Sequence, residues 1–104
     1  MSAPTEAAVV PKIDTLWVLH YKYCEGDVAT IRAPYRGEHV ALAKSAWEKG
    51  DFVMGGALAD PIDSALIVFK SKEAAEDFAK RDPYVLNGVV VSHEVREWST
   101  VTFG

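Results

Sequence analysis

The sequence predicts an α+β fold with the ferredoxin-like order β-α-β-β-α-β: a four-stranded antiparallel sheet carrying two helices on one face. Three observations predict it. Apolar residues alternate with period two near both ends of the chain, as in half-buried strands. Two segments of helical period lie between strand-like runs, each with a start and a stop signal. Turn residues stand at Asp60-Pro61-Ile62-Asp63 and at Asn87-Gly88, where that order needs reversals.

Residues 1–14 are rich in Ala and Pro and show no sustained period, so they are expected to form an N-terminal tail ahead of a domain spanning 15–104. From Leu16 to Tyr23, Trp17, Leu19, Tyr21 and Tyr23 alternate with Val18, His20 and Lys22, which predicts the first strand. Cys24-Glu25-Gly26-Asp27 breaks it. The first helix is expected to start near Pro34, because a proline in the first turn loses no hydrogen bond. It should stop at Gly50, with Lys49 in the last turn. At 100° per residue, Tyr35, Val40, Leu42, Ala43, Ala46 and Trp47 fall on one arc, the face expected to meet the core. Phe52 to Ala59 is a second strand, interrupted by Gly55-Gly56, a pair that allows a bulge or close approach by another group. Ala65 to Lys70 is an apolar, central third strand. Ser71 can cap the second helix, Glu73 suits its first turn, and Ala74, Ala75, Phe78 and Ala79 form its apolar face. Asp82-Pro83 ends that helix, since the residue before a proline is pushed out of the α region. Val89 to Trp98 is the fourth strand and Ser99 to Gly104 a short tail. With both helices on one face, the other face would expose Trp, Tyr, Val and Phe. A monomer of this size rarely shows such a patch, so a homodimer closing sheet on sheet is expected.

Composition narrows the function. The 104 residues make one domain, with 49% hydrophobic and 25% charged residues as in ordinary globular proteins. Eleven basic and 15 acidic residues leave a net charge of −4, and no Lys/Arg cluster offsets it, so a nucleic-acid partner is not expected. A single cysteine, Cys24, rules out an internal disulfide and a cysteine-built zinc site. Its neighbour Glu25 disfavours a thiolate. No apolar run is long enough to span a membrane, no signal peptide is evident, and the expected compartment is the cytoplasm. Gly55-Gly56 lacks the following Lys and helix start of a phosphate loop. No cofactor is expected.

Two residues break the apolar arc of the first helix. His39 falls near its middle and Arg36 lies one turn earlier. A His on such a face is more often a satisfied core residue, but an imidazole is also the usual general base near neutral pH. Arg36 could hold an anionic oxygen beside it. Asp82 has a structural reading as a turn residue. Yet a carboxylate at a helix C-terminus is disfavoured by the dipole and wants a compensating cation. His20 and His93 could join His39 in a three-His metal site, but scattered strand residues are the commoner explanation and no metal is expected. Tyr21, Tyr84 and Trp17 read first as packing residues; an aromatic-lined cleft would also suit an aromatic ligand.

Three stretches carry a resemblance: Arg36-Gly-Glu-His39 ahead of a leucine-bearing helix, Gly55-Gly56 followed by Ala-Leu-Ala-Asp-Pro, and Ala79-Lys-Arg-Asp82-Pro83-Tyr84-Val85 with Gly88. Together the chain resembles the YciI-like (YCII-related domain) proteins of the dimeric α/β-barrel superfamily, over roughly Thr15 to Phe103. The resemblance implies a His–Asp pair as the suspected active site, with His39 as the family histidine, Arg36 its neighbouring arginine and Asp82 in the Asp-Pro motif. Asp60, also before a proline, is the other candidate partner. At least one relative removes chloride from a chlorinated hydroxyhydroquinone. The expectation is a small enzyme in which His39 and Asp82 perform acid–base chemistry on a small cyclic or aromatic substrate held by Arg36, Tyr84 and Tyr21. The alternative is a non-catalytic ligand-binding or accessory dimer.

Overall fold

The computed structural model describes residues 9–103. Its elements are β1 (Lys12–Tyr23), α1 (Val28–Glu48), β2 (Phe52–Leu58), β3 (Ser64–Phe69), α2 (Lys72–Arg81), a single turn α3 (Pro83–Leu86) and β4 (Val90–Thr102). The four strands form one antiparallel sheet in the order β2-β3-β1-β4. This is the expected β-α-β-β-α-β arrangement, with α3 as an addition. No described helix is long and apolar enough to cross a membrane.

The first helix starts earlier than Pro34 suggested. Asp27 caps it: its carboxylate accepts from the Thr30 N–H at 3.3 Å and from the Thr30 hydroxyl at 2.7 Å. Pro34 therefore lies inside α1, where its ring cannot supply an N–H to the Thr30 carbonyl. Two bonds to orphan carbonyls close the other end: Gly50 N–H to Trp47 O at 3.0 Å and Asp51 N–H to Ala46 O at 2.9 Å. This is a Schellman closure, and it needs the positive φ of 83° that Gly50 adopts. Tyr35, Leu42, Ala43 and Ala46 pack on the core as the arc predicts. Trp47 is exposed, and so is Val40.

α2 matches expectation: Ser71 accepts from the Ala74 N–H at 3.1 Å, and Ala75, Phe78 and Ala79 are buried. Leu19, Tyr21, Tyr23, Ile67 and Phe69 meet them from the sheet. The expected tail boundary at Asp14 falls inside β1, which begins at Lys12; residues 1–8 lie outside the described part. At the other end β4 runs on to Thr102, where a tail from Ser99 was expected. The extensions pair with each other, Lys12 with Thr102 and Ile13 with Val101. β3 reaches only as far as Trp17. Lys12 to Leu16 and Trp98 to Thr102 thus form a two-stranded ribbon beyond the four-stranded part.

The uncovered sheet face differs from expectation in one respect. Strand alternation sends Tyr21, Tyr23 and Phe69 to the helix side, where they are buried. The bare side carries Val18, Leu66, Val68 and Trp98, with His20, Glu94 and Arg96 among them, around a shallow groove of about 380 Å³.

Candidate functional site

Asp82 is the pivot of the site. Its backbone ends α2, with its N–H bonded to Phe78 O at 2.9 Å. Its side chain then caps α3, accepting the Tyr84 N–H on Oδ1 at 3.0 Å. The dipole objection raised by the sequence is answered here, because the carboxylate stands at a helix start as well as at a helix end. Pro83 enforces the break, holding Asp82 extended at φ −68° and ψ 122°.

The carboxylate is fully buried, and three donors converge on it. The Tyr21 hydroxyl donates to Oδ2 at 2.7 Å. His39 Nδ1 lies 2.9 Å from both oxygens. Tyr84 supplies the backbone N–H. A carboxylate only accepts, so Nδ1 must carry the proton. That leaves Nε2 as the ring nitrogen free to serve a ligand. Burial, and then the charge and hydrogen bond of Asp82, push the Tyr21 hydroxyl well above the usual phenol range, so it stays a donor throughout the physiological pH range.

The ring of His39 is fixed on its flat sides as well. Tyr84 stacks on it, with centroids 3.9 Å apart and planes 8° from parallel. Phe78 meets it edge-on at 5.9 Å. The Tyr84 hydroxyl is buried without a hydrogen-bond partner among the described residues.

This assembly borders a cavity of about 280 Å³ between α1 and the sheet. Arg32, Arg36, His39 and Val40 line it from the helix, and Tyr23, Phe52 and Gly55 from the strands. Gly55 lets that wall pack closely, since a Cβ there would stand 3.2 Å from Ile67 and 3.3 Å from Phe52. The structure thus brings together His39, Asp82, Arg36, Tyr84 and Tyr21. The two phenols border the cavity but are nearly inaccessible, and they serve the His–Asp pair directly.

Asp60 is not the partner of His39. It is an exposed turn residue between β2 and β3, and the His39 Nδ1 bonds go to Asp82. His20 lies 3.9 Å from Glu94, whereas His93 is the cross-strand partner of Tyr21, so the two histidines project to opposite faces. Among the described residues no three His, Cys, Asp or Glu side chains gather as a metal would need.

Arg32 and Tyr23 were not singled out from the sequence. Arg32, Arg36 and His39 are spaced i, i+4, i+7, one stripe of a helix. The stripe becomes visible once Asp27-x-x-Thr30 is recognised as the cap instead of Pro34 as the first turn.

The YCII-related domain profile matches residues 15–99. No curated protein matches the sequence significantly. Among solved structures, the chain is similar to 5-chloro-2-hydroxyhydroquinone dehydrochlorinase from Burkholderia phenoliruptrix, determined with 2,5-dihydroxybenzoquinone bound. Identity is 17%, covering 80% of this chain and 92% of that one, with a TM-score of 0.65. It is also similar to a protein from Shewanella oneidensis, at 15% identity over 88% of this chain and 98% of that one, with a TM-score of 0.55. At these identities the likeness establishes the fold.

Proposed function

The chain belongs to the YCII-related domain family, and we propose that its cleft is the active site of a small-molecule enzyme doing acid–base chemistry. The substrate is a compact cyclic or aromatic compound, and the reaction is an elimination, an isomerisation or a like proton transfer. One observation carries this reading: an imidazole bonded through Nδ1 to a buried, fully satisfied carboxylate while it borders an open cavity.

His39 Nε2 takes a proton from the substrate. In an elimination the electron pair left behind forms a new double bond as it expels a leaving anion such as halide, and the proton passes from Nε2 to water. In an isomerisation the pair shifts within the ring and Nε2 returns the proton to another ring atom. Asp82 holds the tautomer and stabilises the imidazolium that forms. Arg36 neutralises the oxygen on which negative charge develops. Tyr21 keeps Asp82 in place, and Tyr84 keeps the imidazole plane. The chemistry in the name of the Burkholderia neighbour, removal of hydrogen chloride from a hydroxylated ring, supports this class.

We also propose a cytoplasmic homodimer closed through the bare sheet face. Val18, Leu66 and Val68 on the inner strands, with the charged Glu94 and Arg96 on the edge strand β4, have the layout of an interface.

The test incubates the protein in D₂O with hydroxylated rings, halogenated and not, and follows chloride release and deuterium incorporation. His39→Gln should lower the rate about 10²–10⁴-fold. Turnover by neither route, or equal turnover in the variant, overturns the proposal.

A further inference from the structure

The proton transfer proposed above makes no use of Arg32, the second cation of the cleft. Arg32 and Arg36 stand one helical turn apart, on the stripe of α1 that carries His39, and both border the same cavity. Among the described residues the ion pairs are Lys12–Asp14, His20–Glu94, His39–Asp82 and Arg81–Asp77. Neither cleft arginine is paired, in a protein with 15 acidic residues and a net charge of −4. Like charges one turn apart on a helix repel modestly, and an anion held between them turns that repulsion into attraction.

Tyr23 adds a third polar group. It is buried and borders the cavity beside Arg32. Burial pushes its hydroxyl pKa up, against the pull of the neighbouring guanidinium, so the group remains a neutral donor. The size of the space also limits the occupant. A cavity of ~150 Å³ takes a benzene ring. The cavity of about 280 Å³ takes one ring with its substituents.

We infer that the cleft selects a single-ring substrate bearing two acidic oxygen groups, one held by Arg36 beside His39 and the other by Arg32 with the Tyr23 hydroxyl. This rests on the catalytic reading of the cleft and names its substrate class. Arg36 meets the oxygen conjugated to the reacting position. Arg32 is a specificity residue that sets the ring's orientation.

The experiment titrates wild type, Arg32→Gln and Arg36→Gln with benzamide, benzoate and the three benzenedicarboxylates. Calorimetry gives affinity, and the His39 imidazole NMR signals report occupancy of the site. In wild type at least one dicarboxylate should bind about tenfold more tightly than benzoate, and benzamide most weakly. Arg32→Gln should bring that dicarboxylate down to the level of benzoate and leave benzoate within about twofold. Arg36→Gln should weaken both. Equal affinities for the monoanion and every dianion in wild type overturn the inference, as does an equal loss for both in Arg32→Gln. If benzoate still shifts the His39 signals in either case, the acid–base cleft stands and only the second anion arm falls. If no probe shifts them, the cleft reading falls as well.

Discussion

The two faces of the one sheet are built from alternate residues of the same strands, and they solve different problems. On the helix side, Leu19, Tyr21 and Tyr23 of β1 are buried, and the Asp82 carboxylate that enters this core receives three donors. On the bare side, Val18, His20 and Lys22 of the same strand face outward with Leu66 and Trp98, and His20 there makes only a loose contact, to Glu94 at 3.9 Å. The helix side is covered by helices of the same chain. The bare side is apolar at its centre, charged at its edge and uncovered. Polar chemistry resides where burial makes every hydrogen bond count, and an apolar surface without helices is what a second copy would cover.

The contrast can be broken most strongly at Phe78. Its ring packs against Phe69 at 5.3 Å and supports His39 from the edge. Phe78→Ala should lower unfolding free energy by about 3–5 kcal/mol. His39→Ala should cost clearly less in the same urea titration. The reverse order would make the histidine a structural residue first.

Asp82→Asn comes next. Shape is kept, but one oxygen acceptor is replaced by an amide donor, so stability should fall by about 1.5–3 kcal/mol. An amide N–H facing Nδ1 would also move the imidazole proton to Nε2. Nitrogen-15 chemical shifts of the ring report that tautomer change, and an unchanged pattern would remove Asp82 as the partner.

Tyr21→Phe deletes one of the three donors to Asp82 and leaves the ring packing alone, for a loss of about 1 kcal/mol. Chemical denaturation measures it. A loss above that of Asp82→Asn would place the organising role on the phenol instead of the carboxylate.

The bare side should respond least within the fold. Trp98→Lys should change the unfolding free energy of the monomer by less than about 0.5 kcal/mol. Sedimentation should nonetheless show wild type as a dimer and the variant as a monomer. A monomeric wild type at micromolar concentration would leave the face without a partner of its own kind.

The elements were legible wherever local chemistry decides them: Ser71 and Gly50 as caps, Asp82-Pro83 as a stop, Asn87-Gly88 as a turn. The pairing of His39 with Asp82 was legible through the family resemblance, not through spacing, because 43 positions separate them. Three features escaped for physical reasons. Pro34 is tolerated inside α1, so its usual preference for a first turn misplaced the helix start by six residues. That displacement hid Arg32. The α3 turn, whose capping reconciles Asp82 with its position, is only four residues long and carries no periodicity of its own. The ribbon strands 12–16 and 98–102 stabilise each other across the whole chain, and neither looks like more than a tail when read alone.

That ribbon also has a practical consequence. Lys12 and Thr102 are register partners, so the two described ends of the chain emerge side by side. The cleft is at the other end of β1, around Tyr21 and Tyr23. A linker of a few residues could join those ends, and the chain could be reopened in the exposed turn between β2 and β3, giving a circular permutant in which every cleft residue keeps its place on an unbroken element. The ribbon tip is likewise a place to append a fluorophore or a second domain with no contact to the chemistry, because sheet and helices insulate one end of the molecule from the other.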